Sequence, residues 1–272
     1  MPELPEVETV RRRLVPVLEG RTLEHVEILD ARLVRPFEPE EVAAELQGER
    51  VAELGRRGKY LIVSFESGRA LLVHLRMTGT LLHEPVAATH VRARVSLDDG
   101  TTLAYRDVRR FGTWLVLEPG ELEPYLAARV GEEPLLAAFT AKGLGERLRG
   151  RRAPLKAALL DQRTLAGLGN IYVDEALWYA RLHPLREAGS LEPDELRRLH
   201  RGIRRALELG IARGGSTLTD YRLPDGSAGS MQREFRVYGR VDEPCDRCGA
   251  PIAKTRVGGR GTWYCPACQR LS

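Results

Sequence analysis

Residues Cys245 to Cys268 read CDRCGAPIAKTRVGGRGTWYCPAC, and these 24 residues decide how the end of the chain folds. Two residues separate Cys245 from Cys248, two separate Cys265 from Cys268, and 16 lie between the pairs. That is the spacing of a four-thiolate zinc site. Each close pair wraps an ion in a tight turn, and four thiolates fill a tetrahedron. No position is left for water, so one zinc ion held here is structural rather than catalytic. Two disulfides, or a buried reduced set, are the other uses of four cysteines. Between the pairs, Val257-Gly258-Gly259-Arg260-Gly261-Thr262 reads as a hairpin tip that turns Arg260 outward, where a guanidinium suits a phosphate.

The charge follows the cysteines. Of the 272 residues, those from Arg233 to Ser272 carry eight basic side chains against four acidic ones, a surplus equal to the net +4 of the whole chain. Residues 1–232 are therefore neutral overall, and attraction for an anionic partner is concentrated at the C-terminal end. A hydrophobic share of 43%, a charged share of 29% and a mean hydropathy of −0.30 fit an ordinary globular protein and exclude fibrous and disordered classes. The apolar runs are short and broken by charge, so no membrane span is expected. Glu3, Glu6 and Glu8 stand where a secretory signal would be basic and then apolar, and a cytoplasmic location is the expectation.

Working back to the N-terminus, Leu4, Val7, Val10, Leu14 and Val17 recur at helical spacing, with Pro5 suited to the first turn and Glu6 and Glu8 to the positive end of the helix. Short β-rich runs follow at Thr22–Leu29, Tyr60–Phe65, Ala70–Leu75, Val91–Leu97, Thr101–Tyr105 and Thr113–Leu117, separated by turn residues. Helices are predicted at Leu122–Ala128, Pro154–Asp161, Ile171–Ala180 and Glu192–Arg213, the middle two joined by a loop containing Gly167 and Gly169. The class is α+β: an N-terminal helix and β-sandwich, a helical domain, and a zinc-finger β-hairpin. The expected boundaries are 1–133, 134–236 and 237–272. Taken alone, the Pro2-Glu3-Leu4-Pro5-Glu6 opening is an ordinary helix start, and Lys59 is a solvated charge before a strand.

Together, six motifs carry a stronger reading. Pro2-Glu3-Leu4-Pro5-Glu6-Val7-Glu8-Thr9, Gly58-Lys59-Tyr60-Leu61, His74-Leu75-Arg76-Met77-Thr78-Gly79, Arg109-Arg110-Phe111-Gly112, Gly167-Leu168-Gly169-Asn170-Ile171-Tyr172 and Val237-Tyr238-Gly239-Arg240 precede the cysteines in this order. In this the chain resembles the formamidopyrimidine-DNA glycosylase family along its whole length. The resemblance implies a helix-two-turn-helix element in the helical domain, double-stranded DNA with an oxidised base as partner, and a monomer. It departs at Val108, where the family usually has proline, so the loop carrying Arg109 loses a fixed φ.

The resemblance also implies roles. With Met1 removed, the secondary amine of Pro2 attacks C1′ of the damaged nucleotide, expels the base and forms an iminium. Glu3 handles the proton at the sugar ring oxygen and Glu6 positions the pocket. Elimination of the 3′ and then the 5′ phosphate follows, assisted by Lys59 and Arg260. The target base must leave the stack. Met77 and Phe111 fill the gap and Arg109 bonds the orphaned partner base, although either apolar residue alone reads as core. Lys156 and Asn170 grip phosphate, with His90, Arg151 and Tyr238 assisting, and His74 has no assigned role. A loop over Ser216–Gln232 closes on the flipped base, or lies unordered on the surface without DNA. With Leu4 and Tyr60 it favours oxidised purines over the oxidised pyrimidines of the endonuclease VIII branch. A non-catalytic zinc-finger DNA binder is the alternative from another class.

Overall fold

Helix α1 covers Leu4–Leu18 and buries Leu4, Val7, Val10 and Leu14 completely. The stripe ends on Leu18 rather than on the expected Val17, which is half-buried, because the step of four from Leu14 stays on the core side. The strands that follow are β1 (Leu23–Ile28), β2 (Val51–Arg57), β3 (Tyr60–Phe65), β4 (Ala70–His74), β5 (Thr80–His83), β6 (Val91–Leu97), β7 (Thr102–Arg106) and β8 (Thr113–Leu117). Short helices α2 (Pro39–Leu46) and α3 (Leu122–Ala127) accompany them. The structure, a computed structural model, describes residues 1–84 and 89–271.

All strand pairs are antiparallel, in two sheets of order β1-β6-β7-β5 and β2-β3-β4-β8. One apolar cluster takes Val26, Val95 and Tyr105 from the first sheet, Leu61, Val73 and Trp114 from the second, and Val7, Val10 and Leu14 from α1. The Tyr105 and Trp114 rings meet edge-on with centroids 5.5 Å apart. This is the predicted sandwich, and three strands, β3, β6 and β8, coincide with their predicted ranges. Two strands and a helix here were not predicted, nor was the eight-residue helix Ala141–Leu148 further on. β2 mixes Glu53, Gly55, Arg56 and Arg57 into its run, β5 is four residues long, and α2 is eight, so none offers enough periodicity to read.

The chain divides into two compact units, residues 1–128 with 213–230, and residues 129–212 with 231–272. The second contains α4 (Ala141–Leu148), α5 (Leu155–Leu160), α6 (Asn170–Ala180), α7 (Pro193–Ala212) and a two-stranded hairpin, β9 (Ala253–Val257) and β10 (Arg260–Tyr264). Beyond Asn170, α6 carries two acids in an otherwise largely apolar run, Asp174 and Glu175, both buried. The Glu175 carboxylate accepts the backbone N–H groups of Arg236, Val237 and Tyr238 at 2.9, 3.0 and 3.0 Å, which fixes the chain as it enters the cysteine segment. Trp178, Val237, Cys245, Ile252 and Cys265 form a small core there. Among the described residues no helix is long and apolar enough to cross a membrane.

Candidate functional site

The first unit holds an acidic helix start. Pro2, Glu3 and Glu6 are buried, while Met1 is 44% exposed and accessible for removal. Glu6 sits at the third position of α1 and reaches back to accept the N–H of Glu3 at 2.9 Å, the reciprocal arrangement that anchors a helix N-terminus. Its other oxygen accepts the N–H of Ser216 at 2.7 Å, and the Tyr221 hydroxyl donates to the Glu6 carbonyl at 3.2 Å. Gly215, at φ +77°, lies so close that a Cβ there would stand 2.8 Å from Glu6 Cγ. Only glycine fits that approach. The Ser216–Gln232 loop is thereby tied to the helix start: Tyr221 and Leu223 are buried in the sandwich core, and the His83 N–H donates to the Pro224 carbonyl at 2.8 Å. Leu218, at 52% exposure, remains available at its surface.

Lys59 forms the β2–β3 turn with Gly58, between the paired Arg57 and Tyr60, and it is buried rather than solvated. The turn rests on Arg56, which donates to the Gly58 carbonyl at 3.0 Å and to Glu8 at 3.0 Å. Burial opposes ionisation of Glu8, but hydrogen bonds from Arg11, Arg12 and Arg56 outweigh it and hold the carboxyl at about 2. His74 stands edge-on to Tyr60, with ring centroids 4.8 Å apart. Burial first, then the charges of Arg76 and Lys59, push His74 down to about 3, and its Nδ1 accepts the Arg76 N–H at 3.0 Å. It is therefore a neutral imidazole at physiological pH.

Met77 is half-buried, Phe111 is 51% exposed, and the Arg109 guanidinium lies 4.8 Å from the Phe111 ring centroid. Reading Phe111 as a core residue therefore fails. A depression of about 610 Å³ beside it is lined by Arg32, Arg35, Arg76, Met77, Arg110 and Phe111 among others. The loop keeps its shape without the family's proline because Asp107 supplies the restraint. This buried carboxylate accepts a hydrogen bond from Thr78 and the N–H groups of Arg109 and Gly112 at 3.2 and 2.8 Å. Arg110 adds a two-point pairing with Asp30 at 2.5 and 2.8 Å. His90, exposed and at φ +62°, gives its carbonyl to the Asp107 N–H at 3.0 Å.

In the second unit two predicted residues converge on one carbonyl, next to a third. Lys156 Nζ and Asn170 Nδ2 donate to Gly261 O at 2.9 and 3.1 Å, and the neighbouring Arg260 is exposed. Gly258 and Gly259, at φ +54° and +76°, form the two-residue loop that presents it, a turn that requires positive φ at both positions. Lys156 is fully buried and pairs with Asp174 at 2.7 Å, while Asp174 also accepts the Trp263 N–H at 3.0 Å. Tyr238 packs its ring on Trp263 at 4.5 Å. Arg151 stands apart from this group, bonded to the Arg147 carbonyl at 3.0 Å and to Asp161 at 3.2 Å. Sequence reasoning gave no part to Asp107, Asp174 or Glu175, and saw in Glu8 only a helix-start acid. Two acids inside the apolar run Ile171–Trp178 were the available signal, since such residues are rarely buried without partners.

The four cysteine sulfurs lie within 4.8 Å of one another, with Cys248 3.5 Å from both Cys265 and Cys268. Sulfurs bound tetrahedrally at 2.3 Å would stand about 3.8 Å apart, so the set fits a metal ion.

The family described as the formamidopyrimidine-DNA glycosylase N-terminal domain matches residues 1–114, the H2TH domain of the same glycosylase matches 130–222, and the zinc finger found in FPG and IleRS matches 242–271. A formamidopyrimidine-DNA glycosylase of Symbiobacterium thermophilum is 49% identical over 99% of this chain and 89% of its own length. One of Thermus thermophilus is 47% identical over 99% and 98%. Among solved structures, MutM (Fpg) of Thermus thermophilus has a TM-score of 0.89 at 45% identity over all of both chains. Lactococcus lactis Fpg in complex with DNA containing an abasic site has a TM-score of 0.91 at 40% identity, covering 98% of this chain and 99% of that one. A mutant of the latter bound to DNA containing Fapy-dG has a TM-score of 0.92 at 41% identity over 99% and 100%.

Proposed function

The chain belongs to the formamidopyrimidine-DNA glycosylase family, and from that premise we propose that it excises oxidised purines, formamidopyrimidines and 8-oxoguanine, from double-stranded DNA and then cuts the strand. The observation that carries this reading is the buried Pro2-Glu3-Glu6 constellation at the start of α1. Removal of exposed Met1 converts the Pro2 nitrogen from an amide into a secondary amine. That amine forms the bond to C1′ as the glycosidic bond breaks and the base departs with its electron pair.

Glu3, the residue that caps the start of α1, protonates the sugar ring oxygen as the ring opens to the iminium. The iminium acidifies C2′, and loss of that proton expels the 3′ phosphate; loss of the C4′ proton from the resulting conjugated iminium then expels the 5′ phosphate. Lys59 meets one of these leaving groups as a charge held in a dry setting, which strengthens its effect. Arg260, exposed on its hairpin, meets phosphate as well.

Met77 and Phe111 occupy the space left by the extruded nucleotide, and Arg109 reads the orphaned base. Support comes from the exposed phenylalanine, which is costly in water and gains from sliding between bases. Asn170, with His90, Arg151 and Tyr238, holds backbone phosphates; Lys156, expected from the sequence to grip phosphate itself, is fully buried and acts with them through the Gly261 carbonyl it fixes. Cys245, Cys248, Cys265 and Cys268 would hold one zinc ion, which when bound supplies a rigid fold to the hairpin and no reactive position. The protein works as a monomer in the cytoplasm.

Purine preference rests on the Ser216–Gln232 loop, whose base is locked to Glu6 while Leu218 is exposed. Duplexes containing 8-oxoguanine or thymine glycol test it. Faster excision from the first is expected, and faster excision from the second overturns the assignment.

A further inference from the structure

At the C-terminal end of α6 a groove of about 480 Å³ is lined by Tyr179, Arg198, Arg201, Arg205, Arg236 and Arg247, with Trp178 and Gly202 behind them. Five of its lining residues are arginines and none is acidic. Asn170, the phosphate-gripping candidate, stands at the opposite end of the same helix, and nine residues at 1.5 Å each separate the two by about 13 Å.

Part of this positive charge has local work. Arg198 donates to the Ala180 carbonyl at 3.1 Å and Arg247 to the Trp178 carbonyl at 2.5 Å, satisfying groups that a helix end leaves open. Arg236 pairs with Asp246 at 2.7 Å, and Glu195 lies 3.9 Å from Arg198. Arg201 and Arg205 make no ion pair with a carboxylate among the described residues, and the Arg205 guanidinium lies 5.0 Å from the Tyr179 ring centroid. Like charges collected in a partly dry groove repel, and an anion set among them removes that cost.

The shape of the row selects the anion. Arg198, Arg201 and Arg205 fall at i, i+3 and i+7 of α7, one helix face spanning about 10 Å. A small anion meets only part of such a row, whereas a polymer with closely spaced phosphates meets all of it. An acidic peptide would want an apolar anchor as well. Trp178 is 5% exposed with Arg247 3.6 Å from its ring centroid, so the groove offers little. We propose that this groove binds the sugar-phosphate backbone of a second nucleic-acid segment, distinct from the one held at the N-terminal end of α6. One molecule then holds two DNA segments together, whichever lesion it excises.

The test saturates the full-length, zinc-loaded protein with an unlabelled short duplex carrying a tetrahydrofuran abasic analogue, then adds a fluorescent lesion-free duplex at low salt. Anisotropy and sedimentation should show the second duplex joining without release of the first. Reversing two exposed charges, Arg201→Glu with Arg205→Glu, should weaken that second binding about ten-fold or more and make its salt slope about two units shallower. Single-turnover excision from a short lesion duplex should be unchanged, which also reports that the variant is folded. Uptake of one duplex only by the unaltered protein overturns the proposal. So does second binding that survives in the variant, and so does a groove that takes polyglutamate in place of the labelled duplex.

Discussion

Glu6 and Ser216 are 210 positions apart, yet the Glu6 carboxylate accepts the Ser216 N–H at 2.7 Å in a buried setting. The same carboxylate accepts the Glu3 N–H at 2.9 Å. One acid thus fixes both the start of α1, where the candidate nucleophile lies, and the base of the candidate lesion-capping loop. A shift in either is felt by the other.

Replacing Glu6 with alanine leaves two buried N–H groups without partners, a loss of about 1–3 kcal/mol for each. Urea denaturation should show that drop, and limited proteolysis should begin cutting within 213–230. Glu6→Gln keeps an acceptor and should lose less stability. Equal stability of both variants to the parent protein would remove Glu6 from its linking role.

Glu8 provides a pH signature. Its folded value near 2 is below its ordinary 4.5, so the stability it contributes is complete above about pH 4.5 and drains away as pH falls towards 2. The difference corresponds to about 3 kcal/mol. Denaturant titrations from pH 5 to pH 2 should fall less steeply for Glu8→Gln than for the parent protein. Parallel slopes would contradict the three-arginine arrangement.

Asp107 should govern the reading of the opposite base through the loop it holds. Arg109→Ala is expected to lower the preference for cytosine opposite the lesion more than it lowers cleavage at a bare abasic site. Asp107→Asn, which breaks at least one of three hydrogen bonds, should move the same ratio in the same direction by a smaller factor. Loss confined to overall stability, with the ratio intact, would leave Asp107 as scaffold only.

Zinc removal should cost DNA binding and spare the first unit. The hairpin bearing Arg260 depends on the cysteine segment, whereas Pro2, Glu3, Glu6 and Lys59 belong to the sandwich unit. Chelated protein should fail to retain an abasic duplex on a filter, and added zinc should restore retention. Retention by the metal-free protein would separate the finger from DNA binding.

Much of this was legible in the residues. Short β-rich runs bounded by turn residues gave β3, β6 and β8 to the residue, and the cysteine spacing gave a donor set that fits a metal ion, because both are local patterns of limited reach. β2 escaped because its charged members serve the structure: Arg56 spans Glu8 and the Gly58 carbonyl to hold the Lys59 turn. Lys59 read as solvated for the same reason, since its burial is a product of what surrounds the turn and not of its own segment. Val108 read as a loosened loop, and the compensating carboxylate of Asp107 was visible only as an unremarkable acid one place earlier. The pairing of Lys156 with Asp174 likewise crosses from α5 to α6, beyond the reach of any window along the chain.

The account turns on which nitrogen attacks the sugar. Met1-processed protein is incubated with an abasic-site duplex under borohydride, digested with nuclease and trypsin, and mapped by mass spectrometry. The sugar remnant is predicted on the peptide Pro2–Arg11, at the nitrogen of Pro2. A remnant on Lys59 or any other lysine, or no adduct at all, would contradict it.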